Sequence, residues 1–127
     1  MTDPIRVLIA DDHPVVRAGL RAVLDIADDV HVVAEAATPD EAVDICASLS
    51  DAATPSSESI HLVLMDLRFG EKPGARTEAG GVDATRRIRA LPRPPQVLVV
   101  TNYSSDADVL GAVSAGAVGY LLKDADP

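Results

Sequence analysis

Five residues of a kind that does chemistry each stand where an apolar run stops: Asp11 and Asp12 after "IRVLIA", Asp66 closing "IHLVLMD", Thr101 closing "QVLVVT", and Lys123 after "VGYLL". Carboxylates held together repel one another, so an unpaired cluster is costly. A hard divalent cation relieves that cost, and Mg²⁺, which prefers oxygen ligands and keeps some of its waters, suits it. An ammonium and a hydroxyl beside such a cation make sense around a phosphoryl group. The two positive charges neutralise its oxygens, and the hydroxyl donates a hydrogen bond. In that arrangement Asp66, on the middle run, is the candidate nucleophile, and its product is an acyl phosphate.

The elements that must position these residues alternate along the chain. "IRVLIA" (5–10), "VHVVAEA" (30–36), "IHLVLMD" (60–66), "QVLVVT" (96–101) and "VGYLL" (118–122) are nearly continuous apolar runs, the mark of strands covered on both faces. Between them lie segments of helical character. In residues 13–27, Pro14 stands near the start and Val16, Leu20, Val23, Leu24 and Ala27 fall at helical spacing. Residues 38–49 open with Thr38, Pro39 and Glu41, a capping box. "GVDATRRIRAL" (81–91) is broken by "PRPP", and residues 105–116 are capped by Ser105 and closed by Gly116. Strands joined by helices predict a parallel sheet with helices on both faces. Such sheets bind ligands at the carboxyl ends of their strands, where the five residues stand.

Bulk properties narrow the function. A chain of 127 residues is one domain, 47% hydrophobic but without Trp, so its core is aliphatic. Eleven basic against 20 acidic residues leave a net charge of −9, which disfavours a direct grip on nucleic-acid phosphates. The lone Cys46 excludes an internal disulfide, suits a reducing compartment, and sits among apolar neighbours as a small buried hydrophobe. No apolar run reaches transmembrane length, and no signal peptide is evident, so a soluble cytoplasmic protein is expected. His13 reads as a solvated helix-capping residue, while His31 and His61 lie far from the strand ends.

The segments "VLIADDHPVVRAGL", "LVLMDL" and "GAVGYLLKDA" resemble the receiver domain of two-component response regulators, in particular the NarL/LuxR transcription-factor branch. The resemblance covers the chain apart from residues 51–59 and 67–80. It implies a flavodoxin-like α/β fold with five parallel strands in the order 2-1-3-4-5. Residue by residue, it implies that Asp66 is the phosphoacceptor and, with Asp12 and the backbone carbonyl of Arg68, a direct Mg²⁺ ligand. Asp11 then acts on the metal through water, Thr101 and Lys123 engage the phosphoryl group, and Tyr120 is the aromatic that turns inward on activation. The implied partners are a sensor histidine kinase and a second copy on activation. DNA is met only through an output domain, and no membrane is involved. The resemblance further implies a signalling phosphoacceptor rather than an enzyme, one that catalyses only its own phosphorylation and dephosphorylation.

Two departures stand out. Family members have a short turn after the phosphoacceptor, whereas "RFGEKPGARTEAG" follows Leu67 here. That loop is either a tolerated insertion or a lid in which Arg68 or Arg76 shields the phosphoryl group, with Tyr103 acting from the other side. Residues 1–127 are also expected to be a receiver lacking its last helix and its helix-turn-helix output domain. Val118, Leu121, Leu122 and part of the first helix are then expected to face water. Two other functions remain open. A Mg²⁺-dependent phosphohydrolase of the haloacid-dehalogenase type would use a second Asp where Arg68 stands, and a receiver-like module could act by protein contacts without accepting phosphate.

Overall fold

A computed structural model describes residues 4–50, 54–55, 58–67, 69, 80–101 and 106–123. Its elements are β1 (Ile5–Ala10), α1 (Pro14–Asp25), β2 (Val30–Ala36), α2 (Pro39–Ser48), β3 (Leu62–Asp66), α3 (Gly80–Arg89), β4 (Gln96–Thr101), α4 (Asp106–Ser114) and β5 (Gly119–Leu122). All neighbouring strands pair in parallel, and the order across the sheet is β2-β1-β3-β4-β5. This is the expected five-stranded, doubly wound α/β sheet. The chain leaves β1 toward one edge and reaches β3 on the other side, so the topological switch point lies between β1 and β3.

Local signals set the helix boundaries. Pro14 opens α1 at a position whose missing N–H costs nothing. Thr38 caps α2 by accepting from the Glu41 amide at 3.1 Å, and the Glu41 carboxylate turns back to the Ala37 N–H at 3.4 Å. Gly116 follows α4 with φ +106°, a left-handed conformation that a side chain would strain. The Ser105 cap expected for α4 lies outside the described residues.

The two faces of the sheet are filled differently. On one, Leu8, Val63, Met65, Val97 and Val99 are buried against Ala42, Val43 and Cys46 of α2, Val82, Ala84 and Ile88 of α3, and Ala112 of α4. Each aliphatic side chain removed from water there contributes about 1.5–3 kcal/mol. Cys46 is buried, as expected, and burial pushes its thiol up to about 12, which makes it inert.

On the other face Val7, Ile9, Leu64 and Val100 pack with Leu20 and Leu24 of α1. No residue of α1 is itself buried, and Val23, Ile26, Val118 and Leu121 are exposed. The expected exposure therefore holds for Val118 and Leu121, but Leu122 is half-buried. Register explains the difference: Leu122 pairs with Thr101, on the side of the sheet shared by Val99 and Tyr120, so it points toward the α4 layer.

Candidate functional site

Parallel pairing brings every strand's C-terminus to one edge of the sheet. Asp11 follows β1 directly, and its N–H still donates to the Ala36 carbonyl at 3.0 Å, as a continuation of the ladder. Asp66 is the last residue of β3, so the two carboxylates flank the switch point. Lys123 follows β5 and donates its N–H to the Thr101 carbonyl at 2.7 Å. From there the side chain crosses the end of β4, and Nζ meets Asp11 Oδ2 at 2.6 Å and Asp66 Oδ1 at 3.0 Å. Asp12 stands at the mouth, partly exposed.

The site holds more negative charge than it neutralises. Asp11 and Asp66 are 2% and 5% exposed, and one ammonium serves both. Burial, joined by the charge of Asp11, pushes the Asp66 carboxyl up to about 6 despite Lys123. For Asp11 burial acts in the same upward sense, but hydrogen bonds from Lys123 and His13 outweigh it and hold the group below its ordinary value. Burial pulls Lys123 down, and its two carboxylate partners more than reverse this, so it stays charged.

Two buried oxygens, Asp66 Oδ2 and Asp12 Oδ1, accept no hydrogen bond from the described residues, although the His13 ring nitrogen stands 3.0 Å from the latter as an ion-pair contact. Stranded acceptors of this kind are expensive unless a ligand completes them. Asp11, Asp12, His13 and Asp66 each offer one ligand atom, all within 4.8 Å of one another. The donor set and the orphaned oxygens fit a divalent cation.

The neighbouring backbone is built to keep the site tight. Gly81 donates to the Leu67 carbonyl at 2.8 Å, and a Cβ at Gly81 would lie 2.0 Å from the Asp66 carbonyl oxygen. Only glycine allows α3 this close to the end of β3. Arg17 of α1 donates to the Asp11 carbonyl at 2.7 Å while Glu35 of β2 accepts from its Nε at 3.1 Å. Arg21 holds the same Glu35 at 2.7 Å, so two helical turns and two strands brace the Asp11 backbone.

Of the residues singled out in the sequence, Asp11, Asp12, Asp66 and Lys123 come together. Thr101 is wholly buried at the end of β4 beside them in the sheet. Tyr120 lies farther back on β5, half-buried against Leu67, Val82, Val99 and Ala112, on the same side of the sheet as Thr101. Arg68, Arg76, Tyr103 and residues 70–79 lie outside the described residues, so the Arg68 carbonyl and the lid belong to the part not described. His13 corrects the sequence reading. It occupies the N-cap of α1 but makes no side-chain cap bond. Its Nδ1 instead sits 2.9 Å from Asp11 Oδ1 and 3.0 Å from Asp12 Oδ1, because two adjacent carboxylates attract the ring more strongly than one amide. Arg17 and Glu35 were not visible as a pair in the sequence. Their only signal is opposite charge on a helix and a strand predicted to be neighbours.

Comparison with known proteins agrees with this geometry. The family model described as the response regulator receiver domain matches residues 7–127. The nitrate/nitrite response regulator protein NarP of Escherichia coli K12 is 33% identical over 124 residues, covering 98% of this chain and 50% of that protein. A LuxR-family two-component response regulator from an Aurantimonas species superposes with a TM-score of 0.78 at 34% identity, covering 98% of this chain and 78% of that one. A Burkholderia pseudomallei response regulator, crystallised with a phosphorylated aspartic acid, calcium ion and citrate, gives 0.70 at 25% identity, over 95% and 61% of the two chains. The chain belongs to the response regulator receiver domain family, phosphoacceptor signalling domains, and is of the NarL/LuxR type. It spans about half the length of the curated relatives it matches. Among the described residues no helix is long and apolar enough to cross a membrane.

Proposed function

We propose that Asp66 is the residue that takes the phosphoryl group, and that a sensor histidine kinase supplies it. One observation carries this reading: Asp66 has one oxygen tied to Lys123 and the other buried and, among the described residues, unpartnered. The tied oxygen fixes the carboxylate, and the open one is left as nucleophile. In the transfer that oxygen bonds to phosphorus as the phosphorus–nitrogen bond of the donor phosphohistidine breaks, and the histidine leaves with its electron pair. The Burkholderia relative, with its phosphorylated aspartic acid and calcium ion, supports both the acceptor chemistry and the cation.

Asp12 and Asp66, with Asp11 acting through water and the Arg68 carbonyl, are the residues we assign to Mg²⁺. When bound, Mg²⁺ would neutralise the phosphoryl oxygens and the carboxylates alike. Lys123 then exchanges a carboxylate partner for the phosphoryl group, and the Thr101 hydroxyl donates to it. Movement of Thr101 opens space on the face it shares with Tyr120, whose inward turn alters the surface formed by α4 and β5. In the whole regulator this surface controls homodimerisation and, through a helix-turn-helix output domain, DNA binding in the cytoplasm. The chain's catalysis is confined to its own phosphorylation and dephosphorylation. Incubation with acetyl phosphate and Mg²⁺ is expected to add one phosphoryl group by intact mass, and Asp66→Asn to abolish the addition. Undiminished labelling of that variant would refute the assignment.

A further inference from the structure

The imidazole of His13 is unexplained by helix capping and by the phosphoacceptor chemistry. It faces the cation site rather than solvent alone, with Nδ1 at 2.9 and 3.0 Å from the carboxylate oxygens of Asp11 and Asp12. Neighbouring ligands of an octahedral ion with bonds of about 2.1 Å lie about 3.0 Å apart. Nδ1 and the Asp12 oxygen, 3.0 Å apart, therefore already have the spacing of two adjacent vertices of a coordination octahedron. Opposite ligands lie about 4.2 Å apart in the same geometry. The cluster, whose atoms fall within 4.8 Å, closes on an ion by small side-chain movements. The independent sign that something is meant to enter is Asp66, 95% buried by its 5% exposure, with Oδ2 unpartnered among the described residues.

We propose that His13 supplies a nitrogen ligand to this site, so that it takes first-row transition-metal dications more tightly, relative to Mg²⁺, than an all-oxygen receiver site does. This rests on the cation-site reading above and names the residue that sets the site's metal preference. Mg²⁺ gains little from imidazole, whereas Co²⁺ and Zn²⁺ bind it well. Ligation would use the Nδ1 lone pair in place of the contacts to the two carboxylates, on a side chain that is 55% exposed. Rotation about the side-chain bonds of an exposed residue lets the ring follow the ion.

The test compares Co²⁺ and Mg²⁺ binding by calorimetry, with all proteins in one buffer at the same pH. The proteins are the wild-type chain, His13→Asn and, as a control away from the site, His31→Asn. Asparagine is a good N-cap, so His13→Asn preserves α1 while removing the nitrogen donor. The preference for Co²⁺ over Mg²⁺ is expected to fall about tenfold or more in His13→Asn. Mg²⁺ affinity should stay within about threefold, and the visible absorption of bound Co²⁺ should shift toward that of an all-oxygen site. His31→Asn should match wild type. An unchanged preference and spectrum in His13→Asn would overturn the role of His13 while leaving the cation site standing. Failure of the wild-type chain to bind either ion would overturn both.

Discussion

Replacing Asp66 with asparagine should make the metal-free chain more stable at neutral pH. Burial, with Asp11 beside it, raises the Asp66 carboxyl from 3.8 to about 6. Each unit is about 1.4 kcal/mol, so ionising this group costs the folded state at most about 3 kcal/mol. Asp12 at the mouth of the site is 27% exposed, so solvent screening reduces the figure to on the order of 2 kcal/mol. The amide cannot ionise, and Lys123 keeps its shorter contact to Asp11, at 2.6 Å. Loss of the Asp66 ion pair takes back part of the gain, leaving about 1–2 kcal/mol, or a rise in Tm of about 4–8 °C. The pH dependence has a definite sign. The folded chain holds this proton more tightly than the unfolded one, so the penalty is full above pH 6 and is relieved as pH falls toward 3.8. Thermal unfolding by circular dichroism in EDTA should show Asp66→Asn above wild type at about pH 7.5 and the two converging near about pH 4. Added Mg²⁺ should raise the wild-type midpoint and narrow the gap, since a ligand that binds only the folded state stabilises it. A variant no more stable than wild type at neutral pH, or a gap that persists at pH 4, would refute the reasoning about desolvation.

Gly81→Ala places a Cβ 2.0 Å from the Asp66 carbonyl and must push α3 off the end of β3. A loss of about 1–3 kcal/mol is expected in urea unfolding, with slower labelling by acetyl phosphate. Lys123→Gln leaves Asp11 and Asp66 buried without their cation. It should cost on the order of 3 kcal/mol at neutral pH, recovered on acidification as the carboxylates take up protons, which a pH series of unfolding midpoints would check. Thr38→Ala removes the 3.1 Å cap of α2 and should cost about 1 kcal/mol by thermal melting, with the labelling rate unchanged because the cap stands outside the acidic cluster.

Much of this protein was legible because its signals are local. Continuous apolar runs such as "IRVLIA" are written residue by residue: Val7 to Ala10 are all buried, as their composition demands, and so is the segment Val63 to Asp66. Thr38 and Glu41 announce α2 through bonds that span three residues, and Gly116 announces the end of α4 through its own φ. Once strands and helices alternate, parallel pairing follows, and the ends of β1, β3, β4 and β5 must share an edge. Asp11, Asp12, Asp66, Thr101 and Lys123 could therefore be grouped before any coordinate was known.

What only the tertiary structure decided is which atoms meet. Lys123 bonds to Asp11 across 112 positions of sequence and to Asp66 across 57, and only the sheet order with β4 between β3 and β5 sets that reach. The half-burial of Leu122 beside the exposed Leu121 depends on register against Thr101, not on residue type. Gly81 is required because α3 approaches Asp66, a distance between elements that no local pattern encodes. His13 turns to the carboxylates instead of the α1 amides because the fold presents Asp11 and Asp12 on one side of its ring. Periodicity and capping act through the few nearest residues, whereas the charge balance of the site is a sum over side chains that only packing brings within a few ångströms.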